Sequence, residues 1–561
     1  MYKLLHLAAA LAWAAGPAAA QAPTPAVGKG NVKNQPARRA ASLPPVAADW
    51  SVPYAARITP ASLRADLAVL ASDAYAGRAT GQPGQQLAAA YLARALAAAG
   101  LAGPVPGSDN AYYQHFALTS ADPAAAIKIG EQTFVVNKDY YLLLRDPATL
   151  AAPLQPTFVG YGISTAGYAD FAPAAPDLKG KDLVLLLGEP LARTGQPLLG
   201  QAGQPSAYGS PGFGEMGARS PAMRTLAART TIRIAPSAAA FAQVPQEYEH
   251  LFDHHAQLTL PEAPAPAGTG TNVFIVSPAM GAALLGTTAA GLASYQQAVA
   301  RAGGPVASPF RPVAMQAVAK KEAFTTENVL GYLEGTDKKA EVVVVSAHYD
   351  HVGVQHGQVY NGADDDASGT ASVLALARAF AQAKKDGHGP RRSLLFLANV
   401  AEEIGLLGSH YYCEHPVVPL ANTVAVLHID MLGRVDSVHQ GRGAYVYAIG
   451  DDWRSAELHA LSEATNQQYG PLALDYTYNT PSNPAHLYRR SDHYNFAQRG
   501  VPVIFYTSGL HADYHQPTDD VANIDFAALA QRSQLVFHTA WALANRAARP
   551  ALDAVAKPVW P

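Results

Sequence analysis

Histidines and carboxylates follow several apolar runs of this sequence, each close to the point where the run ends. The residues so placed are His348 and Asp350, Asp364 to Asp366, Glu402 and Glu403, Asp430, and His515. Imidazole and carboxylate ligands suit Zn²⁺, and a set with more carboxylates than imidazoles suits a pair of ions. Two cations about 3.5–4 Å apart repel each other, so one carboxylate must bridge them. The aspartate run between Gly362 and Gly369 can supply that bridge.

The adjacent pair Glu402 and Glu403 indicates hydrolysis. Neighbouring side chains on an extended or tightly turning segment point in different directions, so one carboxylate can bind metal while the other stands beside a bound water. A free carboxylate in that position is a general base. The alternative is a solvated helix N-terminus, where acidic residues interact favourably with the helix dipole. Because the pair follows a buried strand, as the other candidate ligands do, we favour the catalytic interpretation.

The histidines of this region differ in their surroundings. A metal-bound imidazole usually donates its second N–H to a carboxylate that fixes its tautomer, and Asp350 can fill that role for His348. We interpret His351 and His356 as loop histidines. Three further histidines lie within or beside predicted elements and are interpreted as structural or surface residues: His410, His415 and His428.

The apolar runs themselves predict the scaffold. Val342 to Val345 is typical of a strand buried on both faces, as in the middle of a parallel sheet. From residue 317 to 549 such runs alternate with helical patterns, which predicts an α/β fold with a mainly parallel mixed sheet flanked by helices. Ligand and catalytic residues gather at the carboxyl ends of strands in these sheets, where the polar residues of this sequence fall.

Five segments, in this order, resemble the signature segments of the dizinc aminopeptidase family, which also includes glutamate carboxypeptidases and glutaminyl cyclases. They are SAHYDHVG, NGADDDASG, ANVAEEIGLLGS, LHIDMLGR and DYHQPTDD. The segment from residue 73 to 101 resembles the N-terminal helix of that family. Residues 150 to 316 resemble, more weakly, the protease-associated domain that some members carry as an insert.

The resemblance implies a site that holds two Zn²⁺ ions. One ion would be held by His348, Asp365 and Asp430, and the other by Asp365, Glu403 and His515. Asp365 is then the bridge, because the bridging aspartate of the family lies four residues before the last glycine of the motif; Asp364 is the alternative. Glu402 would be the general base, and the family predicts a cis peptide bond between Asp365 and Asp366.

Two substrate-side residues are also implied by the resemblance. Tyr514 matches a tyrosine that helps to polarise the scissile carbonyl group. Arg490 matches a position near the substrate in some members. With Glu402 and Asp350, Tyr514 completes the catalytic set that we predict.

The length of the chain indicates several domains, one of which contains the candidate site. The 561 residues exceed what one core usually holds. We predict a signal peptide (1–22), a linker (23–56), the N-terminal part of the catalytic domain (57–149), a small β-rich insert (150–316), the main catalytic part (317–549) and a tail (550–561). The signal peptide predicts export to the periplasm or the medium. Helices are predicted from Thr59 to Leu70 and from Gln85 to Ala99, where Gly100 ends the second one.

Charge and cysteine content limit the possible partners. A net charge of −3 gives no reason to expect nucleic acid or an anionic membrane surface, and no segment after the leader is long and apolar enough to span a membrane. Cys413 is the single cysteine, which excludes an internal disulfide, and we interpret it as a buried thiol rather than a nucleophile.

The sequence therefore predicts an exported zinc-dependent exopeptidase that acts on peptides, most simply an aminopeptidase. A carboxypeptidase of the same family is the alternative, and it should need a cluster of arginines for the terminal carboxylate. An inactive binding protein and a glutaminyl cyclase are disfavoured, because no ligand is missing and Glu402 is present.

Overall fold

The computed structural model describes residues 49–144, 146–172, 175–201, 204–248, 257–261, 271–355, 357–470, 472–480 and 483–553. The predicted signal peptide, most of the predicted linker, His356 and most of the predicted tail lie outside these residues. Within them, no helix has the length and apolar character that crossing a membrane requires.

The described residues contain seventeen strands. They are β1 (Tyr113–Ile129), β2 (Gln132–Val135), β3 (Tyr140–Leu144), β4 (Pro156–Phe158), β5 (Asp182–Leu186), β6 (Thr230–Ile234), β7 (Gln257–Thr259), β8 (Asn272–Val276), β9 (Met315–Leu333), β10 (Lys338–His348), β11 (Val354–Gln355), β12 (Gln358–Val359), β13 (Arg392–Asn399), β14 (Thr423–Ile429), β15 (Tyr445–Ile449), β16 (Ala473–Asp475) and β17 (Val503–Thr507).

The α-helices of the same residues are α1 (Ser51–Ala55), α2 (Pro60–Leu70), α3 (Pro83–Ala99), α4 (Pro147–Leu150), α5 (Phe213–Thr225), α6 (Ala238–Glu247), α7 (Pro278–Leu284), α8 (Ala289–Ala302), α9 (Gly369–Lys385), α10 (Leu407–Glu414), α11 (Ala456–Tyr469), α12 (His493–Gln498) and α13 (Phe526–Asn545). The two helices predicted near the N-terminus are confirmed as α2 and α3. Thr59 and Ser62 form a capping box at the start of α2, and Gly100 ends α3 in the left-handed conformation.

The larger sheet has ten strands in the order β16-β15-β17-β14-β10-β13-β9-β1-β2, and β7 pairs with β1. Its centre is parallel: β10 pairs with β13 and β14, and β14 pairs with β17. The flank formed by β9, β1 and β2 is antiparallel. The predicted mixed α/β architecture is therefore confirmed, with the parallel pairing concentrated in the strands that lead to the candidate ligands.

The valine run of β10 is buried on both faces of the sheet, as its composition predicts. Val343 and Val345 pack in one apolar cluster with residues of α2, α3, α9 and α13. Val342 and Val344 pack in another, on the opposite face, with residues of α10 and α12. Successive side chains of a strand point to opposite faces, so four valines in a row require a helical layer on each side. This double burial fixes the position of the strand end.

A second sheet of five strands has the order β3-β8-β6-β5-β4 and a core of its own. Its strands β4, β5, β6 and β8 run parallel, and helices α5 to α8 lie in the same stretch of chain. We expected a β-rich insert; the structure instead has an α/β unit, because the chain between and after its parallel strands forms helices α5 to α8. The boundaries predicted for this insert, and its kinship with protease-associated domains, stay predictions.

Cys413 lies in α10 and is buried as a free thiol. Burial raises the pKa of the thiol to about 12. A thiol that stays protonated at neutral pH is a poor nucleophile, which agrees with the interpretation made from the sequence.

Candidate metal centre

The predicted ligands lie at one edge of the larger sheet because four parallel strands end there. His348 is the last residue of β10, Asp430 follows β14 directly, and Glu403 lies four residues after β13. His515 follows β17 after a short loop. Parallel strands direct their carboxyl ends to the same edge, so residues far apart in sequence meet in one cleft.

Asp365 lies between the two groups of predicted ligands. Its Oδ1 atom is 3.2 Å from Nε2 of His348, and that nitrogen is 3.5 Å from Oδ1 of Asp430. Its Oδ2 atom is 3.0 Å from Nε2 of His515, which is also 3.0 Å from Oε2 of Glu403. Each oxygen of a single carboxylate therefore faces a different group, which is the arrangement that a bridging ligand requires.

The candidate ligand atoms lie close together without forming hydrogen bonds to one another, as expected of atoms that bind cations. Among the described residues, Nε2 of His348, Oδ2 of Asp365 and Nε2 of His515 are buried and have no hydrogen-bond partner. Their contacts of about 3 Å lack hydrogen-bond geometry, although buried polar atoms are normally paired. Lone pairs that converge on a shared point, from imidazole and carboxylate donors, fit Zn²⁺. The residues therefore fit the metal that the sequence predicts.

The two neighbours of Asp365 have other partners. Asp366 can also approach His348 and Asp430, but its oxygens accept the backbone N–H groups of Gly369, Met431 and His348. Asp364 accepts the N–H of Gly433, and its other oxygen lies 3.2 Å from His511. Both carboxylates hold the loop in place, which leaves Asp365 as the candidate for the bridge. The predicted cis bond between Asp365 and Asp366 is confirmed.

Asp350 contacts His348 most closely through its main chain and not, as predicted, through its carboxylate. Nδ1 of His348 is 3.1 Å from the carbonyl oxygen of Asp350 and 3.7 Å from its Oδ1 atom. The carboxylate itself accepts the hydroxyl group of Thr80 and the backbone N–H of Glu402. Asp350 thus joins the first ligand loop to the Glu402 loop and fixes the ring orientation of His348 through its carbonyl group.

Glu402 lines the same cleft but belongs to neither group of candidate ligands in the described chain. Burial raises the pKa of the Glu402 carboxyl well above its ordinary value, with His348 opposing and Glu403 adding to the shift. Burial and Asp365 would raise the pKa of Glu403 as well, but contacts with His515 and His351 lower it to about 2. Adjacent carboxylates with such different proton affinities are suited to different roles.

The cleft has an apolar wall and two polar side chains at its mouth. Met431, Leu487, Phe505 and Leu510 line it together with Arg490 and Tyr514. An N–H group of Arg490 donates to the hydroxyl group of Tyr514 over 3.3 Å, and the ring of Tyr514 stacks on that of His515. The structure therefore brings both predicted substrate-side residues to the cleft.

Sequence reasoning missed several residues that shape the site. His351, interpreted as a loop histidine, is buried with Nδ1 at 2.7 Å from Oε1 of Glu403. Ser491 donates to Asp430, and Asp519 accepts the backbone N–H groups of Asp364 and Asp365. The signal for His351 was its place three residues after His348, in the same strand-end loop.

The fold is of the α/β class, and the cleft at its strand ends contains side chains that could hold metal ions. Residues 328–540 match the profile described as Peptidase family M28, so this part of the chain is a domain of that family. The match contains all five predicted metal ligands and Glu402.

Curated relatives match less than half of the chain. One is aminopeptidase YwaD of Bacillus subtilis (strain 168), 27% identical over 246 residues, which cover 42% of this chain and 49% of that protein. Another is a probable zinc metalloprotease of Pyrenophora teres f. teres (strain 0-1), 28% identical over 276 residues, 42% of this chain and 56% of that protein. The chain thus spans about half the length of these relatives.

Solved structures align over most of the chain. An aminopeptidase from Aneurinibacillus sp. strain AM-1 aligns with a TM-score of 0.47 and 18% identity, covering 90% of this chain and 98% of that one. A zinc aminopeptidase from Bacillus subtilis aligns with a TM-score of 0.45 and 17% identity, covering 89% of this chain and 99% of that one.

Proposed function

We propose that the protein is a zinc-dependent exopeptidase with two metal ions, and specifically an aminopeptidase that removes N-terminal residues from peptides. The position of Asp365 carries this proposal, because one carboxylate faces both ligand groups with Glu402 beside them. The family match and the relatives named as aminopeptidases support the same activity.

The metal ions and the side chains of the protein would contribute in different ways to the reaction. Bound zinc would supply an acidified water molecule and stabilise negative charge on the peptide oxygen. Glu402 accepts the proton of the attacking water and delivers it to the leaving amine. Its raised pKa suits a group that must hold the proton between these two steps. Tyr514, at the mouth of the cleft, donates a hydrogen bond to the scissile carbonyl oxygen.

The cleft also suits a peptide N-terminus. Two Zn²⁺ ions would balance the charges of the four carboxylates at its base, so the neutral amine of a peptide N-terminus could approach the ions as a nitrogen ligand. The wall formed by Met431, Leu487, Phe505 and Leu510 can accept an apolar side chain. Arg490, at the mouth, can approach the part of the substrate that follows the scissile bond.

The alternative is a carboxypeptidase. Such an enzyme would hold a terminal carboxylate with a cluster of arginines, whereas Arg490 is the one arginine among the described residues that line the cleft. An inactive binding protein would have no need of a full ligand set with a carboxylate base. We therefore prefer the aminopeptidase.

Two further parts of the proposal concern the rest of the chain. The apolar leader at residues 1–22 supports export of the protein to the periplasm or the medium. The second sheet unit is proposed to be a protease-associated domain that influences which peptides reach the cleft.

The proposal is tested with aminoacyl-p-nitroanilides and with N-blocked peptides that have a free C-terminus. We expect cleavage of the first set only, with loss of activity in a zinc chelator and recovery when Zn²⁺ is added. Cleavage of the blocked peptides would identify a carboxypeptidase. Activity unaffected by complete removal of metal would refute the metal mechanism.

A further inference from the structure

His351 occupies a buried position beside the second group of ligands. Its side chain is almost completely inaccessible to solvent, and its ring lies 5.5 Å from that of His515, edge to face. A Cβ atom placed on Gly362 would lie 2.5 Å from two ring carbons of His351. The backbone of Gly362 therefore packs directly against the imidazole and fixes its orientation.

The contacts of the two ring nitrogens of His351 differ. Nδ1 is 2.7 Å from Oε1 of Glu403 and 3.8 Å from Oδ2 of Asp365. Nε2 is buried and has no hydrogen-bond partner among the described residues. An ionised carboxylate can only accept hydrogen bonds, so a neutral ring must carry its proton on Nδ1 to pair with Glu403.

Comparison with His348 distinguishes a donor from a ligand. In His348 one nitrogen faces the acidic cluster and the other contacts the carbonyl oxygen of Asp350, as metal-bound imidazoles normally do. In His351 the contact of Nδ1 with Oε1 of Glu403 has the length and direction of a hydrogen bond, whereas Nε2 of His348 and Nε2 of His515 face carboxylates without hydrogen-bond geometry. The geometry thus favours donation to Glu403 over coordination of an ion.

We propose that His351 is a positioning residue that donates Nδ1–H to Oε1 of Glu403 and thereby turns Oε2 towards the ion shared with His515. Oε2 of Glu403 already lies 3.0 Å from Nε2 of His515. With Oε1 occupied, Glu403 binds that ion through one oxygen. This inference depends on the metal pair of the proposed function but not on its substrate or reaction.

The test uses substitutions that keep, displace or remove the N–H donor at position 351. In His351→Asn the amide nitrogen can occupy the place of Nδ1, in His351→Gln it lies near the place of Nε2, and His351→Leu has no donor. His410→Asn, on the exposed face of α10, is the control. Zinc retained by each purified, zinc-loaded protein is measured by mass spectrometry after dialysis against a series of zinc buffers.

We expect the Asn variant and the control to release zinc at the same free concentrations as the parent protein. The Gln and Leu variants should release one ion at about tenfold to 100-fold higher free zinc, the usual loss for an outer partner of a ligand. The variant Glu403→Gln identifies the released ion. It should lose the ion that Glu403 helps to hold, and the Gln and Leu variants should lose the same ion. If the Leu variant fails to fold, the comparison of Asn with Gln still decides.

Two outcomes would overturn the proposal. Equal zinc retention in the parent, Gln and Leu proteins would remove any role for His351 at the metal. Release from the Asn variant as easily as from the Gln variant would identify the ring nitrogen as a ligand. Absence of peptidase activity in a parent protein that binds zinc normally would refute the proposed function and leave this inference intact.

Discussion

At the scale of single residues, the candidate site depends on Asp365, whose contacts differ from those of Asp364 and Asp366. Asp364 and Asp366 accept backbone N–H groups and hold the loop, whereas Asp365 faces both histidines. Ala401, Met431 and His515 have left-handed backbone conformations. Ala401 precedes Glu402, Met431 follows Asp430, and His515 is itself a candidate ligand. Backbone strain of about 1–3 kcal/mol per residue is tolerated where the surrounding structure enforces it, as at functional sites.

Replacement of Glu402 by Gln tests the base at this scale. The amide has nearly the same shape but cannot accept the proton of water, so we expect kcat to fall by at least about 100-fold. Metal content should stay at the level of the parent protein, because Glu402 belongs to neither ligand group. Steady-state kinetics and zinc analysis check both expectations. Loss of an ion from this variant would reassign Glu402 as a ligand.

Replacement of Arg490 by Gln tests the mouth of the cleft. The guanidinium is exposed, and no carboxylate of the described chain pairs with it, so it can bind the carboxylate of a short peptide. A charge-assisted hydrogen bond contributes about 1.5–3 kcal/mol. We expect KM for a dipeptide to rise about tenfold or more, with little change for the amidated dipeptide. Equal changes for both substrates would contradict this role.

At the scale of elements, Arg78 connects the helical N-terminal part to two ligand loops. Its guanidinium is fully buried and donates to the carbonyl groups of four residues: Leu70, Tyr349, Asn361 and Gly362. Burial lowers the pKa of Arg78, while Asp365 and Asp350 oppose the shift. The planar fork of an arginine can reach several acceptors at once, which a lysine cannot.

Arg78→Lys should therefore loosen the loops that carry His348 and Asp365. Carbonyl groups left unpaired in the interior cost about 1–3 kcal/mol each. We expect the free energy of unfolding to fall by about 2 kcal/mol or more, and zinc to be released at higher free concentrations. Arg94→Lys, on the exposed side of α3, is the control and should change neither quantity. Denaturant unfolding and zinc analysis are the measurements.

At the scale of the whole molecule, the candidate metal centre lies where four hydrogen-bonded strands end and their loops meet. Both sheets belong to one unit that begins at Trp50, and β1 pairs with strands of the larger sheet while Ile127 and Ile129 pack in the core of the second one. The carboxylates at the strand ends repel each other unless cations neutralise them. Metal occupancy should therefore influence the stability of the entire fold.

Removal of zinc is expected to lower the melting temperature of the protein. A ligand present at 1,000 times its dissociation constant stabilises the folded state by about 4 kcal/mol. Calorimetry before and after dialysis against a chelator measures the change, and readdition of Zn²⁺ should restore the original value. The variant Asp365→Asn should melt at a lower temperature than the parent and respond less to chelator. A parent protein whose melting is indifferent to chelator would contradict a metal pair at the strand ends.

Much of the site could be predicted from the sequence, because the ligands follow strands whose composition is decisive. The valines of β10 require burial on both faces, and a parallel sheet delivers its strand ends to one edge. That reasoning selects His348, the pair Glu402 and Glu403, and Asp430 without coordinates, while the assignment of Glu403 as the ligand of that pair came from resemblance to a family. The choice of Asp365 within its run came from resemblance to a family, since three adjacent aspartates do not differ in composition.

Tertiary structure alone decided which atoms meet. The partners of His351 and Arg78 lie 52 and up to 284 positions away along the chain, and no local pattern specifies such contacts. The helices of the second sheet unit were also missed, although α6, α7 and α8 are rich in alanine and each begins after a Ser or Thr that caps it. Residue types and strand order determined the chemistry available to this protein. The packing of loops across the strand ends determined the geometry, because directional contacts between distant segments form only when the chain has folded.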